Sequence, residues 1–159
     1  MTDEPVLVVG STGMLGSQVA TELLKRGRQV RALVRPGSDA SALEAAGVEI
    51  ARGDMMDPWS LLRALEGIDA VITSAAGYTR HRKGDTPKTD TVGNINLVEA
   101  ASRSGVRRFV LTSILTCDQT SKVPHLAQEA DRSPAGGTWC PVCGASAGRI
   151  PGPGHPVWR

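Results

Sequence analysis

The sequence predicts an α/β fold, a doubly wound parallel sheet of about five strands in the order 3-2-1-4-5, followed by a tail of different character. Two observations carry this. Short apolar, β-branched runs alternate five times with segments of helical spacing through residues 4–116, the pattern of a parallel sheet covered by helices on both faces. The connections between them are short and rich in glycine, as βα and αβ turns require.

The first element sets the rest. Val6-Leu-Val-Val-Gly10 is a short apolar run suited to a strand buried on both faces. It runs into Gly10-Ser-Thr-Gly13-Met-Leu-Gly16, and Val19, Leu23 and Leu24 then recur at helical spacing. The glycines therefore lie on a strand-to-helix turn, the setting in which such a pattern signals dinucleotide binding. Gly10 permits the tight turn, Gly13 lets a pyrophosphate approach the backbone, and Gly16 lets the helix pack closely. Thr12, Met14 and Leu15 join them as candidate pyrophosphate contacts at the helix N-terminus. The rival reading is an ordinary glycine-rich turn. The expected fold is thus Rossmann-type, with ligand at the carboxyl ends of the first and fourth strands.

The remaining elements follow in order. Arg26-Gly27 ends the first helix, and Gln29–Val34 is a second strand closed by Arg35-Pro-Gly-Ser38. Ser38 is read as the cap of a helix over Asp39–Ala46, stopped by Gly47. Val48–Arg52 is a third strand, and Gly53-Asp54-Met55 follows it. Asp57 caps and Pro58 opens a helix through Glu66, with Gly67 beyond. Asp69–Ser74 is a fourth strand and residues 75–86 a polar loop. Pro87–Ser104 reads as one long helix with Val92, Ile95, Leu97, Val98 and Ala101 on its buried side, Gly105 ends it, and Arg108–Ser113 is a fifth strand.

Candidate site residues cluster after strands. Where an acid would mark an NAD site, the second strand ends in Arg35, with Ser38 close behind. A cation there suits a 2′-phosphate, which favours NADP(H) over NAD(H); a solvated strand-end arginine is the alternative. Asp54 can accept from an adenine amino group and Met55 can cover the ring, or Asp54 simply caps its own turn. Ser74, Ala75 and Ala76 are small enough for backbone contact with the nicotinamide ribose, or form a plain buried turn. Ser113 can hydrogen-bond a substrate carbonyl or cap a turn. His125 is a proton-donor candidate by position alone, its rival a surface loop histidine.

Composition narrows the function classes. The net charge is +2, and no basic stripe with interleaved aromatics supports nucleic-acid binding. No apolar run approaches the ~20 residues of a membrane span, and the acidic N-terminus does not read as a secretory signal; a cytoplasmic location is the expectation. Cys117, Cys140 and Cys143 are too few for a disulfide framework. The single C-x-x-C pair lacks a second pair or nearby histidines, so no metal site is expected.

Residues 5–128 resemble the atypical short-chain dehydrogenase/reductase superfamily in its NmrA-like branch. The motifs are V-L-V-V-G-S-T-G-M-L-G at 6–16, R-A-L-V-R at 31–35, G-D at 53–54, L-E-G-I-D-A-V-I at 65–72 and N-L-V-E-A-A-S-R-S-G-V-R-R-F-V-L-T-S-I-L at 96–115. The resemblance implies a Rossmann fold, NADP(H) binding, and either reductase activity on a small carbonyl or quinone-like substrate or a non-catalytic, cofactor-sensing role toward a protein partner. Two departures stand out. The superfamily's Tyr-x-x-x-Lys pattern is replaced by His125-Leu-Ala-Gln-Glu129, and Tyr78 is the sole tyrosine. The family's substrate-binding C-terminal part is also expected to be absent from these 159 residues.

The expected domain organisation is therefore a cofactor-binding domain over residues 4–128 and a Pro/Gly-rich disordered tail over 129–159. Regrouped one base out of step, degenerate codons for Glu129–Ser133 can spell K-L-I-E, and those for Ala145–His155 can spell L-R-P-G-A-F-L-D-Q. Both strings resemble what the family carries downstream. The hypothesis is a displaced reading frame near Gln128, with Cys140 and Cys143 as accidents of it; a naturally short protein with a disordered tail is the rival. Sequencing the gene across residues 120–135 is expected to reveal the displaced base, and an uninterrupted frame with no displaced pattern would end the idea.

Overall fold

The computed structural model describes residues 5–77 and 87–112. Five strands form one parallel sheet: β1 Val6–Val9, β2 Val30–Val34, β3 Glu49–Arg52, β4 Ala70–Thr73 and β5 Arg108–Leu111. Their order is β3-β2-β1-β4-β5, as expected. Four helices connect them: α1 Met14–Lys25, α2 Ser41–Ala45, α3 Pro58–Ala64 and α4 Val92–Arg103. β1 is the central strand, with Val6 opposite both Val30 and Ala70, and Val9 opposite both Leu33 and Thr73.

All four residues of β1 are buried, because the period of two sends alternate side chains into two separate cores. Leu7 and Val9 join Leu33, Leu61, Leu65, Val71, Leu97 and Phe109 under α3 and α4. Val6 and Val8 join Ala20, Val30, Ala32, Val34 and Leu43 under α1 and α2. This double burial explains why the strand carries no polar residue.

Polar contacts fix the helix ends. Asp57 Oδ1 accepts the Trp59 N–H at 3.0 Å and caps α3, with Pro58 at its first position. At the other end of α3, the Arg31 guanidinium donates to the Ala64 and Glu66 carbonyls at 3.0 and 2.7 Å. A cation at a helix C-terminus offsets the negative end of the dipole, so the arginine in R-A-L-V-R ties β2 to α3.

Three readings need correction. Ser38 is not the cap of α2. Its N–H donates to the Arg35 carbonyl at 3.1 Å, and the nearby Asp39 carboxylate accepts the Ser41 N–H at 2.9 Å. Nor is residues 87–104 one helix. A short 3-10 turn over Pro87–Thr89 precedes Asp90 and Thr91, and α4 begins only at Val92. Within α4, Val92 and Ile95 are exposed, at 42% and 45%. The buried side is Gly93, Asn94, Leu97, Ala100 and Ala101. The helix is turned because Gly93 sits against Met55, where a Cβ would come within 3.2 Å of the methionine Cβ, and because Asn94 is buried beside Asp90.

Candidate functional site

The glycine turn stands at the carboxyl end of the central strand, where the chain's connections leave in opposite directions across the sheet. This is the position at which open α/β sheets bind ligands. Gly10 has φ of 84°, and a Cβ there would lie 2.8 Å from the Ala75 nitrogen, because the loop after β4 crosses it. The Gly10 carbonyl accepts the Gly13 N–H at 3.0 Å. A Cβ on Gly16 would lie 2.2 Å from that same carbonyl oxygen. The helix begins at Met14 rather than after Gly16, so Gly16 is in its first turn and packs on the Gly10 backbone.

Gly13 differs from its neighbours. It is the N-cap of α1 in extended conformation, and a Cβ would meet only the Gly10 oxygen, at 3.2 Å. A glycine N-cap brings no side-chain acceptor, and the first turn contains no acid. The N–H groups of Met14, Leu15 and Gly16 have no acceptor within the helix, since the first intrahelical bond is Ser17 N–H to the Gly13 carbonyl at 3.0 Å. The positive end of the helix dipole adds to them. A cofactor pyrophosphate fits this turn: it needs N–H donors, positive potential and a backbone without Cβ. Met14 and Leu15 are exposed at the opening, Thr12 is half-buried, and Ser11 is fully buried.

To one side of β1 lie the ends of β2 and β3. Arg35 is half-buried and opens a turn through Pro36, Gly37 and Ser38. Arg52, which no motif in the sequence points to, is aligned with Val34 at the end of β3. Its Nη1 donates to the Ser38 carbonyl at 2.6 Å and reaches the Arg35 carbonyl at 3.5 Å. Two guanidinium-bearing residues thus stand together at this corner. Two acids lie nearby: Glu44, with its carboxylate 3.9 Å from Arg52, and Asp39, whose carboxyl the Ser41 backbone N–H, then the Ser41 hydroxyl and the Arg52 charge, hold below the ordinary value. The Asp39 carboxylate is engaged in starting α2.

Asp54 follows β3. Its Oδ1 accepts the Met56 N–H at 2.9 Å, so the turn-capping role is met by one oxygen. The Ser60 hydroxyl accepts the Asp54 N–H at 3.0 Å and is 2.8 Å from the Asp57 carbonyl, which ties this loop to α3. Met55 is 6% exposed and belongs to the core under α3 and α4. On the opposite side of β1, the Ser74 N–H donates to the Val9 carbonyl at 3.0 Å and the Ala75 N–H to the Thr73 hydroxyl at 3.3 Å. Ala76 is exposed, and Gly77 is buried with its N–H on Asp90 at 3.0 Å. Asp90, like Arg52, is absent from the sequence-derived candidates; its signal in the sequence is a polar pair, Asp90 and Asn94, at the four-residue spacing of one helix face. Ser113, His125 and the three cysteines lie outside the described residues.

The comparisons with known proteins agree with this geometry. Residues 10–135 match the model of an NAD(P)H-binding family. The chain belongs to this family, of the short-chain dehydrogenase/reductase type. It is 43% identical over 110 residues to sterol demethylase protein B of Methylococcus capsulatus, covering 67% of this chain and 33% of that one. It is 38% identical over 122 residues to the photosystem II assembly factor Ycf39 of Synechocystis, covering 75% of this chain and 36% of the relative. The structure of a Citrobacter sp. triphenylmethane reductase complexed with NADP(H) superposes with a TM-score of 0.61 at 28% identity, covering 79% of this chain and 43% of the reductase. The chain therefore spans about a third of the length of these curated relatives. Among the described residues, no helix is long and apolar enough to cross a membrane.

The two inner glycines are expected to separate on substitution. Gly16→Ala forces a methyl group onto the Gly10 carbonyl and is expected to destabilise the fold by about 3 kcal/mol or more, the upper range for overpacking. Gly13→Val is expected to remain folded, as circular dichroism will report, and to lose NADPH binding. A folded Gly13→Val variant that binds NADPH like the parent would place the phosphate site elsewhere.

Proposed function

We propose that the chain forms the cofactor-binding part of an NADP(H)-dependent oxidoreductase of the short-chain type, acting on a small carbonyl or quinone-like substrate. The observation that carries this is the uncapped start of α1 behind a three-glycine turn, with Gly13 open on its outer side. Gly10, Thr12, Gly13, Met14, Leu15 and Gly16 would hold the pyrophosphate. Arg35 and Ser38 would hold the 2′-phosphate, in a turn that Arg52 steadies through the Ser38 carbonyl. Asp54 and Met55 would border the adenine. Ser74, Ala75 and Ala76 would border the nicotinamide ribose.

A bound NADPH supplies a hydride to an electrophilic carbon. The chain's own part is orientation and polarisation. The glycine turn fixes the pyrophosphate, the loops after β3 and β4 fix the two ends, and Ser113, directly after Thr112 at the end of β5, would donate a hydrogen bond to the substrate oxygen. His125 is the proposed proton source. The similarity to an NADP(H)-bound triphenylmethane reductase supports a reductase reading.

One observation favours a second reading. Residues His125–Glu129 lack both the tyrosine and the lysine of the superfamily's proton-transfer pair. A non-catalytic NADP(H)-sensing regulator that binds a protein partner needs neither, and the similarity to an assembly factor is compatible with it. NADPH oxidation against a panel of quinones and carbonyls separates the two: turnover that depends on Ser113 supports the enzyme, and tight cofactor binding without turnover supports the sensor.

The cofactor preference has its own test. Arg35→Asp removes a charge-assisted contact of about 1.5–3 kcal/mol and sets a like charge against the 2′-phosphate. The expected outcome is a fall in the NADPH/NADH affinity ratio of at least about tenfold, measured by cofactor fluorescence. An unchanged ratio would leave Arg35 as a surface residue only.

A further inference from the structure

Asp90 lies between the Pro87–Thr89 turn and α4 and is 7% exposed. Its Oδ1 accepts the N–H of Gly77 at 3.0 Å, across thirteen residues of sequence. Gly77 is itself buried, so this amide has to be satisfied from within the protein. A carboxylate acceptor makes that bond stronger than a neutral one. Asp90 is held in turn, since Asn94 Nδ2 donates to the Asp90 carbonyl at 3.1 Å from the first turn of α4.

The bond closes a frame around one loop. At the near end of residues 74–77, the Ser74 N–H is fixed on the Val9 carbonyl, and Ala75 crosses Gly10 so tightly that a Cβ there would clash. At the far end, Gly77 is fixed on Asp90. Only Ala76, between these anchors, is exposed. The same helix holds the opposite side of the site: Asn96 Nδ2 donates to the Met55 carbonyl at 3.0 Å. One stretch, Asp90–Asn96, therefore holds the loop after β4 and the loop after β3. The two loops lie on opposite sides of the central strand.

We infer that Asp90 is a positioning residue that sets the Ser74–Gly77 loop for the nicotinamide half of the cofactor, so that affinity for this half depends on it and affinity for the adenylate half does not. The inference rests on the proposed reading in which the adenylate lies toward β2 and β3 and the nicotinamide toward β4. Without an acceptor at residue 90, the buried Gly77 amide is left unpaired and the loop moves to find another partner. The corner of Arg35, Arg52 and Asp54 has supports of its own, Arg52 on the Ser38 and Arg35 carbonyls and Asp54 on the Met56 N–H, so it is left in place.

The test titrates the parent, Asp90→Ala and Asp90→Asn with NADPH and with adenosine 2′,5′-bisphosphate, which lacks the nicotinamide half. Asp90→Ala is expected to weaken NADPH binding by about tenfold or more and to leave the bisphosphate within about twofold. Asp90→Asn keeps an oxygen that can accept the Gly77 N–H and is expected to recover most of the NADPH affinity. Should Asp90→Ala not fold, Asp90→Ser takes its place with the same expectation. An equal loss for both ligands in a folded variant, as general destabilisation would give, overturns the inference, and so does undiminished NADPH binding. A parent that binds neither ligand overturns the site reading itself, and the inference with it.

Discussion

The carbonyl group of Gly10 is the contact on which the arrangement depends. It accepts the Gly13 N–H, and it occupies the space a Cβ on Gly16 would need. Those two facts seat the first turn of α1 directly on the end of β1. They set the N–H groups of that turn, which have no acceptor within the helix, at the carboxyl end of the central strand. The Gly10 backbone also lies so near Ser74 and Ala75 that the loop after β4 leaves no room for a side chain at position 10. A side chain at position 10 or 16 would disturb the fold before it disturbed any ligand, whereas position 13 has little to do but leave space.

Charge is distributed around this point with an evident division. The corner beyond β2 and β3 gathers Arg35 and Arg52 with three acids, each engaged within the chain: Asp39 by the start of α2, Glu44 by Arg52 and Asp54 by the Met56 N–H. The side beyond β4 carries a buried carboxylate, Asp90, turned onto backbone rather than onto the crevice. In the proposed reading, an additional phosphate on the cofactor would lie on the first side, beside Arg35 and Ser38. A pyrophosphate at the glycine turn would meet backbone N–H groups, so that geometry rather than net charge would select the ligand.

Much of this was legible in the sequence because each strand is buried on two faces and reads as an unbroken apolar run. Val6–Val9 and the glycines behind it gave the central strand, the turn and the strand order. Asp57 with Pro58 gave a helix start, because a cap and a fixed φ are local properties. What was not legible depends on partners distant in the chain. The rotation of α4 is set by Met55 against Gly93 and by the Asp90–Asn94 pair, so apolar spacing pointed to Val92 and Ile95 when glycine and asparagine were the buried residues. Arg52 belongs to the Arg35 corner only through the register of β3 on β2. Ser38 lost its expected role to Asp39, a stronger acceptor one residue on.

The central claim is that the uncapped start of α1 receives a dinucleotide pyrophosphate. Amide NMR of the 15N-labelled protein titrated with NADPH tests it most directly. The account predicts that the largest shifts fall on the amides of Gly13, Met14, Leu15 and Gly16, with those of α2 at Ala42–Ala45 nearly unmoved. Saturable shifts concentrated elsewhere, with Gly13–Gly16 unmoved, would contradict it.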